Sequence, residues 1–226
     1  MPEQPRIYIA TTNPGKLREF REAAASAGQI LSIEPLPGLA GLTSPVEDGD
    51  TFEANAIIKA EHYSLAAPGE LVLAEDSGLS VDSLGGVPGV YSARYAAMLA
   101  GDSKDTNSDD AANNAALISQ LTIHKLKIGE SKPSGLQPRD HPRPSGKYVC
   151  VIAIARDGQT LKTFRGEVAG QILTEPRGTG GFGYDPLFYF SALGKTFAEL
   201  PLELKRQYSH RGIAFREFLS WLETTG

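Results

Sequence analysis

The chain has one cysteine in 226 residues, so an intramolecular disulfide is excluded. Cys150 sits in the apolar run Tyr148 to Ala155 with no base beside it, and reads as a small buried core residue rather than a nucleophile. No apolar segment approaches the roughly 18 residues of a spanning helix, which excludes a membrane segment of that kind. No secretory signal opens the chain, because Met1 to Arg6 leads straight into a strand-like run, so a cytoplasmic enzyme or binding protein is expected. Basic residues are in the minority, 22 against 27 acidic, for a net charge of -5, which argues against a nucleic-acid polymer as partner. A small phosphorylated ligand stays open if the cations are concentrated locally. The GxxxxGK[ST] phosphate loop and the G-x-S-x-G nucleophile elbow are both missing.

What is present looks like an ordinary soluble protein, with 41% hydrophobic and 22% charged residues. Its length suits one domain of two lobes over residues 1–226, with two small domains as the alternative. The most informative stretch is LVLAEDSGL, Leu71 to Leu79, where an apolar run leads without a break into Glu75, Asp76, Ser77 and Gly78. Burying even one carboxylate costs several kcal/mol unless it is paired or bound to a cation. Ligands in open α/β sheets collect beyond strand ends. Asp76 is therefore a candidate metal ligand or general base, the rival being an ordinary loop carboxylate that caps the next turn.

Upstream, Ile7 to Ala10 reads as a buried strand. Thr11, Thr12, Asn13, Pro14 and Gly15 form a polar turn, and Lys16 opens a helix carrying Leu17, Phe20, Ala24 and Ala27 at helical spacing. Free N–H groups and Lys16 at a helix N-terminus suit an anion, although the same residues would make a good turn and cap. Ile30 to Ile33 is a second strand. Glu47, Asp48 and Asp50 precede a helix over Thr51 to Ala66, in which Asn55, Lys59 and His62 share one face at spacings of four and three. That stripe either points toward Glu47 or is simply solvated.

Downstream, Ser80 to Leu84 alternates like a short strand. In the glycine-rich loop after it, Tyr91 and Arg94 are placed to reach a ligand or a partner subunit, and Ser108 to Leu121 is a helix. His124 to Lys147 turns to Lys, Arg, Ser, Gly and Pro and reads as a flexible insertion. Asp157-Gly158 between two strand-like runs signals a hairpin. GTGGFG, Gly178 to Gly183, matches the dinucleotide fingerprint by letters, but it leads into a strand, Leu187 to Phe190, and not a helix. Phe182 could stack on a ring and Asp185 could accept from a ring N–H, or the loop is a tight turn with Phe182 in the core. Near the end, Ser209 reads as an N-cap, with His210 and Arg211 set against the dipole of the last helix; an anionic or acceptor-rich ligand would remove that conflict.

Six blocks taken together resemble the inosine triphosphate pyrophosphatase family. They are ATTNPGK from Ala10, EDGDTFEANAIIKA from Glu47, AEDSGLSVDSLGGVPGVYSARY from Ala74, GTGGFGYDPLF from Gly178, GKTFAEL from Gly194 and SHR from Ser209. The resemblance implies hydrolysis of non-standard purine nucleoside triphosphates (ITP, dITP, XTP) to the monophosphate and pyrophosphate. It also implies an α/β fold with an elongated mixed sheet flanked by helices, two lobes with the active cleft between them, magnesium and a homodimer. By the same resemblance, Thr11, Thr12, Asn13, Pro14, Gly15 and Lys16 would hold the phosphates, with Lys59 near them. Asp76 would be proton acceptor and metal ligand beside Glu47, and Ser77 would contact substrate. Phe182, Gly183, Tyr184, Asp185, Lys205, His210 and Arg211 would receive the nucleotide and its base. Leu204 stands where relatives often carry an acid, which unsettles the pairing of Lys205.

A donor such as Arg211 or His210 would pair with O6 of hypoxanthine and be mismatched with adenine. Two rival readings remain: a pyrophosphatase for another modified nucleotide, and a catalytically silent nucleotide-binding regulator, which would need Asp76 or the lysines to be missing.

Overall fold

The computed structural model describes residues 6–26, 32–102, 107–127 and 143–225. The elements in order are β1 (Arg6–Ile9), α1 (Pro14–Ser26), β2 (Ser32–Pro35), α2 (Phe52–Ser64), β3 (Leu71–Val81), α3 (Tyr95–Ala100) and α4 (Asp110–Lys127). They continue with β4 (Ser145–Arg156), β5 (Gln159–Ile172), β6 (Phe188–Phe190), β7 (Lys195–Thr196), α5 (Leu202–Tyr208) and α6 (His210–Thr225). The strands form one seven-stranded sheet in the order β2-β1-β3-β4-β5-β6-β7. It is mixed: β1 runs parallel to β2 and β3, while β5, β6 and β7 pair antiparallel. This is an α/β fold with helices flanking a mixed sheet. Among the described residues no helix is long and apolar enough to cross a membrane.

Two compact units divide the chain. The first holds Met1–Ser77, Val149–Val168 and Leu202–Gly226, and the second Gly78–Tyr148 and Ala169–Pro201. The core of the first unit is built from the apolar faces of its strands and helices: Ile7 and Ile9 of β1, Leu71 and Leu73 of β3, Cys150, Ile152 and Ile154 of β4, Phe20 of α1, and Phe215 and Phe218 of α6. Full burial of each large side chain contributes about 1.5–3 kcal/mol. Cys150 is completely buried, as a core residue should be. In the second unit, Tyr148, Phe188 and Phe197 pack as a ring cluster with centroids 4.6 to 5.9 Å apart.

The expected elements are present apart from the Ser80–Leu84 strand, and among the boundaries that shift are these three. First, the strand through LVLAEDSGL does not end at the carboxylates. It runs on to Val81, absorbing Ser80, and Asp82–Leu84 form a 3-10 turn instead of a strand. The carboxylates still lie beyond a strand end, that of β1: its pairing with β3 stops at Ile9 opposite Leu73, and Ala10 N–H closes the ladder on the Leu73 carbonyl at 2.8 Å. Second, β2 occupies Ser32–Pro35, and Ile30 lies outside the described residues. Third, His124–Lys127 continue α4 and Ser145–Lys147 begin β4; residues 128–142 of the expected insertion lie outside the described residues. At the β4–β5 turn, Asp157 and Gly158 have φ of 51° and 79°, the paired positive values a two-residue hairpin requires.

Candidate active site

Successive side chains of a strand point to opposite faces of its sheet. β3 therefore sends Glu75 and Asp76 to different sides, and they are only 5% and 9% exposed. A buried carboxylate must be compensated, and the first unit compensates the two differently.

Asp76 faces α2. Lys59 Nζ donates to Asp76 Oδ1 at 2.9 Å and to Glu47 Oε2 at 2.7 Å, one ammonium between two carboxylates. The stripe of α2 points as one of its two readings had it. Asn55 Oδ1 accepts from Gly49 N–H at 2.9 Å, and His62 Nε2 lies 2.7 Å from the Thr43 carbonyl, so three side chains of one helix face fix the loop that carries Glu47. Gly49 permits this approach, since a Cβ there would lie 2.7 Å from Ala54 Cβ and from Asn55 Oδ1. Asp76 Oδ2 is buried with no hydrogen-bond partner among the described residues. Burial raises the Asp76 carboxyl above its ordinary value, and Glu47 adds to this, while Lys59 pulls it down without cancelling the rise. Lys59 is held protonated by the two carboxylates against the opposing effect of its own burial.

Glu75 faces α1 and α6. Lys16 Nζ stands 2.5 Å from Glu75 Oε1, and the Arg211 guanidinium reaches Glu75 at 3.4 Å and Ser77 Oγ at 3.0 Å. Cys150, one strand over on β4, donates its thiol to Glu75 Oε2 at 3.0 Å. Burial alone would raise Glu75; Arg211 and Lys16 outweigh it and hold the carboxyl well below the usual range. Arg211 also pairs with Glu19 of α1 at 2.5 Å, and Lys205 of α5 pairs with the other oxygen of Glu19 at 2.8 Å. Lys205 thus finds its acid on α1, and Leu204 beside it is exposed. His210 is buried next to these cations; burial first, then Arg211 and Lys205, push its imidazole well below its ordinary pKa, so it is neutral.

The polar turn before α1 is built as a cap. Asn13 Oδ1 accepts from Gly15 N–H at 2.9 Å and Lys16 N–H at 3.1 Å, and Thr11 Oγ1 accepts from Asn13 N–H at 3.2 Å. These N–H groups, read from sequence as free for an anion, are occupied; Thr12 and Pro14 are exposed. Ser209 caps α6 through Gly212 N–H at 3.1 Å.

In the second unit, GTGGFG forms a loop whose amides turn inward. Phe182 N–H donates to Asp185 Oδ2 at 2.8 Å, Gly183 N–H to Asp110 Oδ2 at 2.7 Å and Gly180 N–H to the Ala198 carbonyl at 3.0 Å. Asp185 is 2% exposed and also meets Tyr148 Oη at 3.4 Å. The Tyr184 hydroxyl donates to the Ser92 carbonyl at 2.9 Å. Phe182 is half-buried. Arg94 lies over the Tyr91 ring, 5.6 Å from its centroid.

The profile of the Ham1 family matches residues 7–221, nearly the whole chain. The chain belongs to the Ham1 family. It is 48% identical to the dITP/XTP pyrophosphatase of Acidobacterium capsulatum over 96% of this chain and 97% of that protein. Against the dITP/XTP pyrophosphatase of Bacillus subtilis it is 40% identical over 95% and 96%. A HAM1 protein from Coxiella burnetii superposes with a TM-score of 0.77 at 32% identity, covering 98% of this chain and all of that one. The Staphylococcus aureus Ham1 protein gives 0.71 at 36% identity, covering 98% and 100%. Within this Ham1 chain the sequence reading passed over Glu19 entirely and left Glu75 beside Asp76 without a role. A signal for Glu19 existed, an acid three residues after Lys16 on the same helix, but its partners lie 186 and 192 residues away.

Proposed function

We propose that this Ham1-family protein hydrolyses non-standard purine nucleoside triphosphates, deoxyinosine and xanthosine triphosphate among them, to the monophosphate and pyrophosphate. The observation that carries the reading is Asp76: a buried carboxylate raised in pKa, one oxygen held by Lys59 and the other without a hydrogen-bond partner among the described residues. A carboxylate so raised is a stronger proton acceptor than a free one. Asp76 orients and deprotonates the water that attacks the α-phosphorus, and Lys16 and Lys59 stabilise charge on the departing pyrophosphate.

The donor set suits magnesium. Among the described residues no cluster of three or more His, Cys, Asp or Glu could hold a metal by itself. Magnesium, however, needs only one or two carboxylates together with substrate phosphates and waters. Asp76, with its unpartnered buried oxygen, and Glu47 would hold it, and when bound it supplies charge neutralisation at the phosphates. Charge balance favours the same conclusion. Four carboxylates, Glu19, Glu47, Glu75 and Asp76, are paired with four cations, Lys16, Lys59, Lys205 and Arg211. A triphosphate brings about four more negative charges to a site already neutral and requires a further cation.

Thr11 to Lys16 and Ser77 line the phosphate end in this reading, while Phe182 to Asp185 take the base. Lys205, His210 and Arg211 form the buried frame behind Glu75. The homodimer is carried over on the resemblance.

A panel of triphosphates, assayed with and without magnesium and with products identified, tests the proposal. Deoxyinosine and xanthosine triphosphate should yield monophosphate plus pyrophosphate only when the metal is present. Release of orthophosphate, or equal turnover of adenosine triphosphate, would overturn it.

A further inference from the structure

We propose that Asp110 and Asn114 are positioning residues that clamp Gly183 and thereby set how tightly the base is held. The inference rests on the assignment of Phe182 to Asp185 to the base and deepens it.

Residues four apart on a helix share one face. On α4 that face meets a single residue from both ends: Asp110 Oδ2 accepts from Gly183 N–H at 2.7 Å, and Asn114 Nδ2 donates to the Gly183 carbonyl at 3.0 Å. Gly183 needs such a clamp. Its φ is 62°, and a Cβ there would meet nothing within 4 Å, so sterics leave it unconstrained. Glycine is the residue with most backbone freedom to lose. It also lies directly between Phe182 and Tyr184, so rotation at Gly183 would swing Phe182.

Helix α4 is itself fixed at this end. Asp109 Oδ1 caps Ala112 N–H at 2.6 Å, and Asn113 binds the Ala93 and Ser108 carbonyls while accepting from Ala96 N–H at 3.0 Å. Adjacent asparagines thus serve two segments: Asn113 holds residues 93–96 and Asn114 holds 183. Tyr184, through the Ser92 carbonyl, ties those segments to each other. A ring presented on a frame fixed at three points loses less freedom when a base stacks on it, which registers as affinity and not as turnover.

The test compares the full-length protein with Asp110→Ala, Asp110→Asn, Asn114→Ala and Phe182→Ala. Deuterium uptake is followed in the peptide spanning 181–184, and KM and kcat are measured for deoxyinosine triphosphate and for ribose 5-triphosphate, which has no base. Both alanine variants on α4 should speed exchange at 183 and raise KM for the nucleotide about tenfold, the loss of one charge-assisted or neutral hydrogen bond, with kcat nearly unchanged. Asp110→Asn keeps an acceptor for Gly183 N–H and should restore most of the affinity. The base-free substrate should be indifferent to all four changes. Unchanged exchange, or an unchanged nucleotide KM in Asp110→Ala and Asn114→Ala while Phe182→Ala raises it, overturns the clamp and leaves the base assignment standing. If Phe182→Ala also leaves the nucleotide KM unchanged, the base assignment falls and the clamp's role with it.

Discussion

Lys59 Nζ lies 2.9 Å from Asp76 Oδ1 while its second bond reaches Glu47 Oε2, so a single ammonium bridges both carboxylates proposed for the metal. That placement draws the Asp76 carboxyl down against the rise that burial imposes, and it gives the lysine a role before substrate arrives. The chemistry proposed for Asp76 and the electrostatics of Lys59 are therefore testable separately.

Asp76→Asn keeps the shape of the side chain and an acceptor for Lys59 but removes the base. Turnover should fall by about a hundredfold to ten-thousandfold, the usual contribution of a positioned general base, with substrate affinity retained. Pyrophosphate release measures the first and equilibrium binding of a non-hydrolysable analogue the second; near-normal turnover would remove Asp76 from the mechanism.

Lys59→Met should move the acid limb of kcat/KM to higher pH. Burial holds the Asp76 carboxyl above its ordinary value of about 3.9, and Lys59 is the strongest influence in the opposite direction, so its removal raises the carboxyl further. A limb that stays in place shows that a different group titrates in it.

Glu19→Ala leaves Lys205 and Arg211 buried, with the Glu19 side of their pairing gone. Removing one member of a buried ion pair costs about 3–5 kcal/mol. The urea midpoint should fall accordingly, and Glu19→Gln, which still accepts hydrogen bonds, should cost less. A midpoint unchanged in Glu19→Ala contradicts the network.

Stability should decline on acidification in two stages. His210 is neutral in the folded state, with its pKa well below the ordinary value. The unfolded chain therefore takes up a proton from about pH 6.5 downward and the folded one does not, so stability falls below that pH. Glu75 is depressed, so its contribution is complete above about pH 4.3 and is lost as the pH drops through its lower folded value. Asp76 has the opposite sign: its raised carboxyl costs stability as the pH rises past the unfolded value, and protonation relieves that cost. Thermal melts across this range should show the second stage weakened in Glu75→Gln and Asp76→Asn more stable than wild type at neutral pH.

The sequence by itself determined the local elements, because periodicity and turn chemistry act over a few residues. The helix carrying Asn55, Lys59 and His62 at spacings of four and three could be read directly, and so could the Asp157-Gly158 hairpin and the cap at Ser209. The six motif blocks carried the family. Tertiary structure alone decided what the charges do. Glu75 and Asp76 are neighbours in sequence, yet the two-residue period of β3 places them on opposite faces with different partners. His210 and Arg211, set against the dipole of α6, posed a conflict that an anionic or acceptor-rich ligand would remove. For Arg211 the anions are the protein's own Glu19 and Glu75, brought to α6 across 192 and 136 residues of chain, and burial among the cations keeps His210 neutral. No local pattern encodes such a pairing, since it arises only when the sheet and helices close around a core that excludes water.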